Sequence, residues 1–278
     1  MPEIVGLEKR PGEPMELFTS RHEGEVLGTI GMPTRDFIDA ATVTSLVTLD
    51  VRWANELRKT IDILILRGNV LSWQRNAIIE RMRGDWLLFI DDDMVWQPDA
   101  LWRLLKHQQE HDLDMVGGLC FRRAEPYQPT LYMRERPNDG AYNFLESWNE
   151  GQLVEVDATG MAFMLIHKRV FEMIAGGPMP PYELRVEMGG PPPNFFRWEG
   201  GLGEDLRFCQ DAKAAGARIW VATDVQIGHI GQHTVTHETF LEAIARRDRA
   251  TFLARKEIND KMGLPTMSPE EARERLGR

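Results

Sequence analysis

Hydrophobic positions in the first half of the chain alternate between two spacings. Short apolar runs bounded by turn residues predict strands at residues 25–33, 60–69, 85–90 and 114–121. Apolar side chains three or four positions apart predict packed helices at residues 35–57, 72–84 and 100–111. Strands that alternate with helices are typical of parallel crossover units. The pattern therefore predicts an α/β fold with a doubly wound, parallel sheet flanked by helices.

The helix predicted at residues 72–84 has recognisable end signals. Ser72 is a candidate N-cap, and Gly84 stands where a helix commonly ends. In the second half, residues 154–174 predict a strand followed by a helix, and residues 204–225 predict a helix followed by a strand.

Three parts of the chain differ in composition. Residues 1–24 are rich in proline, glycine and glutamate and predict a loose lead-in, whereas residues 25–237 carry the α/β pattern. Residues 238–278 predict a helical C-terminal extension that could mediate oligomerisation, with a capping box at Ser268 opening its last helix. Residues 175–203 are dense in glycine and proline, and a segment of that kind inside a domain is usually functional or disordered.

Composition restricts the partners. The net charge of -10 does not favour nucleic acid, which would need a local basic patch. No membrane segment and no export signal are recognisable, so we expect a cytoplasmic protein. Cys120 and Cys209 lie in apolar or periodic surroundings and predict buried, reduced thiols.

Three aspartates follow the predicted strand at residues 85–90 directly. Adjacent carboxylates repel one another, and each loses hydration when it lies against a core, so a cation is expected to neutralise them. On an extended chain Asp91 and Asp93 would share one face while Asp92 points to the other. Ligands bind beyond the carboxyl ends of strands in such sheets, and these residues lie at one of those ends. A solvated turn is the alternative interpretation.

The stretch FIDDDM, preceded by RNAIIERMRGDW, resembles the Asp-x-Asp region of nucleotide-sugar glycosyltransferases of the GT-A (Rossmann-like) fold, especially the inverting family 2 group. The resemblance implies an α/β fold with a mixed, mainly parallel sheet flanked by helices. It also implies that Asp93 coordinates Mn²⁺ or Mg²⁺, with Asp91 binding the metal or the donor. It places Asp92, Arg75 and Asn76 at the donor as well.

Further segments carry the same resemblance. In GLGEDLRFCQDAKAAG, Asp205 or, alternatively, Glu204 would be the general base, although acidic residues also stabilise a helix N-terminus. His229 in VQIGHIG matches a third metal ligand, or it is a structural histidine. His233 and His237 follow at intervals of four, without the glutamate of a zinc motif, and indicate a polar helix start.

The remaining matches concern the two substrates. Gly160 and Trp198 are candidates for the acceptor side, where a glycine admits close backbone approach and an indole offers a flat face. Thr34, Arg35 and Arg67 follow the first two strands of residues 25–237 and are candidates for contacting the nucleotide.

The resemblance implies a metal-dependent enzyme that moves a sugar from a nucleoside-diphosphate sugar to an acceptor hydroxyl with inversion. The acceptor would be a glycan, a protein or a small molecule. Two alternatives stay open. The Asp91-x-Asp93 motif also fits a haloacid-type phosphatase, although its later motifs are missing and its strand is not the first. A nucleotide-sugar binding protein without turnover is the other.

Overall fold

The computed structural model describes residues 3–6, 16–20, 24–135, 141–231, 234–262 and 266. The elements in that part of the chain are the following. The strands are β1 (Glu3–Gly6), β2 (Glu16–Ser20), β3 (Val26–Thr34), β4 (Thr60–Arg67), β5 (Trp86–Ile90), β6 (Met94–Val95), β7 (Met115–Leu119), β8 (Leu131–Met133), β9 (Asn143–Phe144), β10 (Leu153–Val156), β11 (Ala158–Thr159), β12 (Phe163–His167), β13 (Ile219–Gln226) and β14 (Gly228–His229). The helices are α1 (Ala40–Val47), α2 (Arg52–Glu56), α3 (Leu71–Arg81), α4 (Ala100–Glu110), α5 (Lys168–Ala175), α6 (Tyr182–Glu187), α7 (Glu204–Ala214) and α8 (His237–Met262).

The main sheet has the strand order β1-β2-β4-β3-β5-β12-β7-β13-β10. β3 runs parallel to β4 and β5, and β7 runs parallel to β13, whereas β12 is antiparallel to both of its neighbours. β12 reverses because the chain reaches it from β7 through a small three-stranded sheet, β11-β8-β9, and not through a crossover helix. The predicted mixed, mainly parallel sheet with flanking helices and a C-terminal helix is confirmed.

Both faces of the sheet are covered, which explains the unbroken apolar run of β5. Leu87 and Phe89 belong to the core that faces α3, α5 and α7, whereas Leu88 and Ile90 belong to the core that faces α4. All five residues of β5 are buried. A strand buried on both faces reads as continuous hydrophobic sequence, and its end is a fixed platform for the residues that follow.

Several predicted boundaries are wrong for local reasons. The helix predicted at residues 35–57 is two helices, because the Asp50 carboxylate accepts a hydrogen bond from the Arg52 backbone N–H at 3.1 Å and opens α2. Ser72 is not an N-cap: α3 begins one residue earlier, flanked by Val70, and Ser72 is buried in its first turn. The segment 175–203 contains one short helix, α6.

The two ends of the chain add structure at opposite sides. β1 and β2 extend the sheet beyond β4, which the sequence pattern does not predict. α8 begins at His237, which stacks on Phe121, and Phe240 packs in the same aromatic group. His233 and the capping box at Ser268 lie outside the described residues.

Two further expectations concern the cysteines and membranes. Cys120 and Cys209 are both buried and unpaired, as predicted. In the described ranges, no helix combines the length and the apolar character needed to span a bilayer.

Gly84 makes the turn from α3 into β5, and its place in the fold predicts a specific cost of substitution. Its φ is +82°, and a Cβ there would lie 2.4 Å from the Gly28 backbone nitrogen. Gly151 has a similar φ of +75° with open space around it. We expect Gly84→Ala to lower the free energy of unfolding by about 1–3 kcal/mol more than Gly151→Ala, because only the former adds a backbone clash to the strained φ.

Urea denaturation of the two variants and of the unchanged protein measures this difference. Equal losses in the two variants would show that the β3 backbone gives way to the added methyl group.

Candidate functional site

An open pocket of about 500 Å³ lies at the carboxyl ends of β3, β4 and β5. It is lined by Pro33, Thr34, Arg35, Gly68, Asn69, Leu71, Gln74, Asp91, Asp92, Asp93, Arg123 and His229. We call it the aspartate pocket. Gln74 of α3 ties two of the strand ends together, since its Nε2 donates to the Thr34 and Leu66 carbonyls at 2.6 Å each. The pocket is therefore built on the part of the sheet that sequence analysis selects for ligands.

All three aspartates line this pocket. The predicted division, with Asp92 on the opposite face from Asp91 and Asp93, is wrong because β5 ends at Ile90 and the chain turns over the next residues. The three carboxylates make different contacts. Asp91 contacts Arg75, Asp92 accepts from Thr34, and Asp93 contacts Arg123.

Arg75 of α3 lies beneath the pocket with its side chain 1% exposed. Its Nη2 donates to Asp91 Oδ1 at 3.0 Å, whereas its Nη1 is directed to Asp205, in a short contact, and to Glu204 Oε1 at 3.4 Å. The rings of Phe89 and Phe196 flank the guanidinium, with centroids 5.9 and 5.5 Å from its Cζ. Arg75 thus joins the residues after β5 to the first turn of α7.

Asp205 and Glu204 begin α7, as the sequence analysis predicts for the pair. The Glu204 side chain is 10% exposed and that of Asp205 is 27% exposed. Burial raises the pKa of Asp205 to about 6, against the opposing effect of Arg75 and a hydrogen bond from the Met161 N–H at 3.2 Å. Asp205 is therefore partly accessible to solvent, and its raised pKa suits a group that accepts a proton near pH 7.

A smaller cavity of about 190 Å³ opens beside Asp205. Its lining includes Tyr132, Gly160, Trp198, Glu204 and Asp205, and we call it the aromatic pocket. Asp91 lines the aspartate pocket, and both Asp91 and Asp205 contact Arg75. The guanidinium of Arg75 thus bridges one carboxylate of each pocket, so the two pockets are neighbours.

His229 and Asp93 approach each other across the small sheet β14-β6. His229 Nδ1 lies 2.8 Å from the Phe121 carbonyl oxygen, which can only accept, so this nitrogen carries the proton. In the neutral ring the lone pair of Nε2 then lies 3.5 Å from Asp93 Oδ1. A cation placed between these two acceptors would be bound by both.

Hydrogen bonds link the residues that follow β3 and β4 at the aspartate pocket. Thr34 donates to Asp92 Oδ2 at 2.7 Å, and Arg67 Nε donates to the Arg35 carbonyl at 3.2 Å. Burial raises the pKa of Asp92, while the Thr34 hydrogen bond acts in the opposite direction. Asp36 Oδ1 lies 3.7 Å from Arg67 Nη2 and forms an ion pair with it.

Asn76 is buried and holds the segment 175–203 to α3. Its Oδ1 accepts from the Phe196 N–H at 2.9 Å, and its Nδ2 donates to the Phe196 carbonyl at 2.8 Å. The structure thus places Arg75 and Asn76 below the pocket surface, where Arg75 orients carboxylates and Asn76 positions the segment that carries Trp198.

The part of the chain that the structure describes holds no preformed set of ligands for a metal ion. In residues 24–135, 141–231 and 234–262, no three His, Cys, Asp or Glu side chains are grouped so as to hold one. Asp93 and His229 nevertheless fit a divalent cation that takes its other ligands from phosphate oxygens and water. Asp91 lines the same pocket, and its Oδ1 accepts a hydrogen bond from Arg75 Nη2 at 3.0 Å.

Sequence reasoning missed Arg123, Gln74 and Tyr132. Arg123 follows β7 closely at the carboxyl edge of the sheet, and that position was the available signal. Gln74 is one turn from the helix start and carries no motif. Tyr132 lies on β8, a strand of three residues that is too short for periodicity to predict.

One family model matches part of the chain, and two solved structures are similar to it at low sequence identity. The family model of glycosyl transferase family 2 matches residues 51–170, which include the three aspartates but neither α7 nor His229. No curated protein sequence matches the chain. A197 from STIV is 15% identical over 73% of this chain and 85% of its own, with a TM-score of 0.44.

The second structure is GalNAc-T7 with UDP, GalNAc and Mn²⁺, which is 9% identical with a TM-score of 0.49. The alignment covers 81% of this chain and 48% of that one, so this chain spans about half of the length of GalNAc-T7. The sheet described above agrees with the GT-A fold predicted from the sequence.

The contacts of Arg75 predict a large and pH-dependent loss of stability on its removal. Arg75→Met leaves the three carboxylates without their buried cation, and we expect a loss of about 3–5 kcal/mol near pH 7. The loss should shrink as the pH falls, because burial raises the pKa of Asp205 and protonation of this carboxyl group removes a buried charge from the folded variant.

Urea denaturation between pH 5 and pH 8 measures both effects. Arg52→Met is the matched control, since Arg52 makes an exposed ion pair with Asp50 and should change little. A loss for Arg75→Met that is small, or that does not vary with pH, would contradict the role of Arg75 as the common partner.

Proposed function

We propose that the protein is a metal-dependent glycosyltransferase that moves a sugar from a nucleoside-diphosphate sugar to an acceptor hydroxyl, with inversion at the anomeric carbon. One observation carries the proposal: Arg75 links Asp91 of the aspartate pocket to Asp205 of the aromatic pocket. A donor in the first pocket and an acceptor in the second would meet at this junction. The match of residues 51–170 to glycosyl transferase family 2 supports it.

The aspartate pocket is the proposed donor site. Asp91, Asp92 and the backbone around Thr34 would bind the sugar and ribose hydroxyls, since carboxylates and carbonyls accept hydrogen bonds. Arg35 and Arg67 lie at the outer rim, where the nucleotide base or a phosphate would be placed. Arg75 and Asn76 would act on the donor indirectly. Arg75 orients the carboxylates of the pocket, and Asn76 holds the segment 175–203 in place.

Asp93 and His229 are the proposed metal ligands, with Asp91 as a further candidate, and Mn²⁺ or Mg²⁺ is the proposed ion. The ion would neutralise the charge that develops on the leaving nucleoside diphosphate. The hydrogen bond from His229 Nδ1 to Phe121 fixes the tautomer that leaves Nε2 available as a ligand.

Asp205 is the proposed general base, with Glu204 as the alternative. With a pKa of about 6, Asp205 is ionised at neutral pH and is still basic enough to accept a hydroxyl proton. Its Oδ2 is held by the Met161 N–H, so the carboxylate is fixed toward the aromatic pocket. Gly160 and the 73% exposed Trp198 would accommodate the acceptor there.

A base and a leaving group on opposite sides of the sugar favour a single displacement, which inverts the anomeric carbon. The acceptor class stays open between a glycan, a protein and a small molecule. The exposed apolar side chains of α8, Leu253 and Ile258 among them, are consistent with the predicted oligomerisation through the C-terminal helix. A cytoplasmic location and the absence of a nucleic-acid acceptor remain predictions from composition.

Neither alternative gains support from the site. A haloacid-type phosphatase carries its nucleophile after the first strand of its sheet and needs later motifs, whereas Asp91 follows β5 and those motifs are missing from the sequence. A binding protein without turnover has no need of a carboxylate with a raised pKa beside the second pocket.

The donor is tested first by thermal unfolding with uridine, guanosine and thymidine diphosphate sugars, with and without Mn²⁺. Binding at one hundred times Kd stabilises the folded state by about 2.7 kcal/mol. For a chain of this size that raises Tm by about 5–10 °C. We expect a metal-dependent rise for one nucleotide, and its loss in Asp93→Ala.

Asp99→Ala is the matched control, because Asp99 follows Asp93 on the chain, is exposed and makes no capping hydrogen bond. A folded protein whose Tm responds to none of the donors would contradict the proposal. A rise that persists in Asp93→Ala would remove Asp93 from the metal site.

The base is tested by transfer or donor hydrolysis in Asp205→Asn and Glu204→Gln, made separately. We expect kcat to fall by about 10²–10⁴-fold in Asp205→Asn. In the unchanged enzyme, kcat/KM should fall as the pH drops below about 6, because protonated Asp205 cannot accept a proton.

Asp205→Asn should show no such pH limb in its residual activity. A large loss in Glu204→Gln alone would transfer the role to Glu204, and an unchanged rate in both variants would exclude the pair.

A further inference from the structure

Arg123 lies on a short loop whose backbone is fixed. The Arg122 N–H donates to the Gln128 carbonyl at 2.9 Å, and Phe121 pairs with Pro129 in an isolated bridge. The Arg123 side chain itself is 58% exposed. A long side chain on a fixed backbone can exchange partners without moving the loop.

The present partner of Arg123 is Asp93. Arg123 Nη1 donates to Asp93 Oδ2 at 2.8 Å, while His229 faces the other oxygen of the same carboxylate. Phe121 connects the two neighbours of Asp93, since its carbonyl accepts from His229 and its bridge closes the loop of Arg123. Arg123 therefore holds the Asp93 oxygen that does not face His229, and it neutralises the carboxylate that a metal ion would have to bind.

The charge of the aspartate pocket makes this contact significant. Asp91, Asp92 and Asp93 all line it, and Arg75 lies beneath its surface. A nucleoside diphosphate entering such a pocket is repelled unless cations face its phosphates. An arginine is suited to this role because its planar group donates two parallel hydrogen bonds to phosphate oxygens.

We propose that Arg123 neutralises Asp93 before the metal binds and then transfers its hydrogen bonds to the phosphate oxygens of the donor. This inference rests on the proposed function and assigns a leaving-group ligand that the sequence analysis did not name. Exchange is easy because exposed ion pairs contribute little to stability. Arg123 thus lowers the affinity for metal alone and raises the affinity for the nucleotide once the metal is present.

The two opposite effects are measured separately on the full chain. Mn²⁺ binding without nucleotide is followed by the electron paramagnetic resonance signal of free Mn²⁺. Binding of uridine diphosphate and guanosine diphosphate at saturating Mn²⁺ is followed by calorimetry. In Arg123→Ala we expect Mn²⁺ alone to bind about two- to five-fold more tightly, because a competing ion pair is gone.

The same variant should bind the nucleoside diphosphate about ten-fold or more weakly, because charge-assisted hydrogen bonds to phosphate are lost. Arg122→Ala is the matched control: it removes the same charge from the same loop, but Arg122 contacts Gln128 and lies over the Phe144 ring. It should leave both affinities near those of the unchanged protein. Arg123→Lys should recover part of the nucleotide affinity.

Mn²⁺ affinity that is unchanged or weaker in Arg123→Ala overturns the inference, as does equal behaviour of Arg122→Ala. Unchanged nucleotide affinity in Arg123→Ala overturns it as well. An unchanged protein that binds neither Mn²⁺ nor either nucleotide would instead overturn the proposed function, so the two failures are distinguishable.

Discussion

The ion pairs of Arg75 are the interaction on which the rest of the site depends. One buried guanidinium faces three carboxylates that come from two distant parts of the chain. A buried arginine without partners would be very costly, and so would three carboxylates packed together without a cation. Each group is therefore tolerated only because the others are in place, and this requirement fixes α7 relative to the end of β5.

The same constraint explains the electrostatic character of the site. Three carboxylates around one cation leave an excess of negative charge, and burial raises the pKa of Asp205 despite the adjacent arginine. The excess favours any further cation at the pocket. Arg123 is one such cation in the structure, and a divalent metal ion at Asp93 and His229 would be another.

Much of the fold follows from periodicity, because β5 is buried on both faces and α4 shows one apolar stripe. The antiparallel direction of β12 does not follow, since strand direction depends on the path of the connection and not on the strand's own residues. The break between α1 and α2 depends on a single carboxylate, Asp50, that accepts from the backbone two residues later.

Likewise, only some residues of the candidate site can be predicted from the sequence. The three adjacent aspartates can be selected from the sequence, because carboxylates that directly follow a buried strand repel one another. Glu204 and Asp205 are selected by the family resemblance, since acidic residues at a helix start also have a structural reason to be there. The position of Arg75 below the pocket cannot, because it depends on the packing of Phe89 and Phe196 around it. Arg123 lies on a loop and Tyr132 on the short strand β8, and for both the three-dimensional path of the chain decides which side chains they meet.

The place of β3 in the sheet has a consequence for how the chain can be divided. The family match begins at residue 51, yet β3 lies earlier in the chain and is inserted between β4 and β5. A fragment that contains only the matched segment would lack β3. The edges of β4 and β5 that pair with β3 would then be unpaired, and Ile30 and Met32 would be missing from the core. The matched region is thus one part of a larger cooperative unit, and truncation at its borders would produce an aggregation-prone polypeptide instead of an autonomous domain.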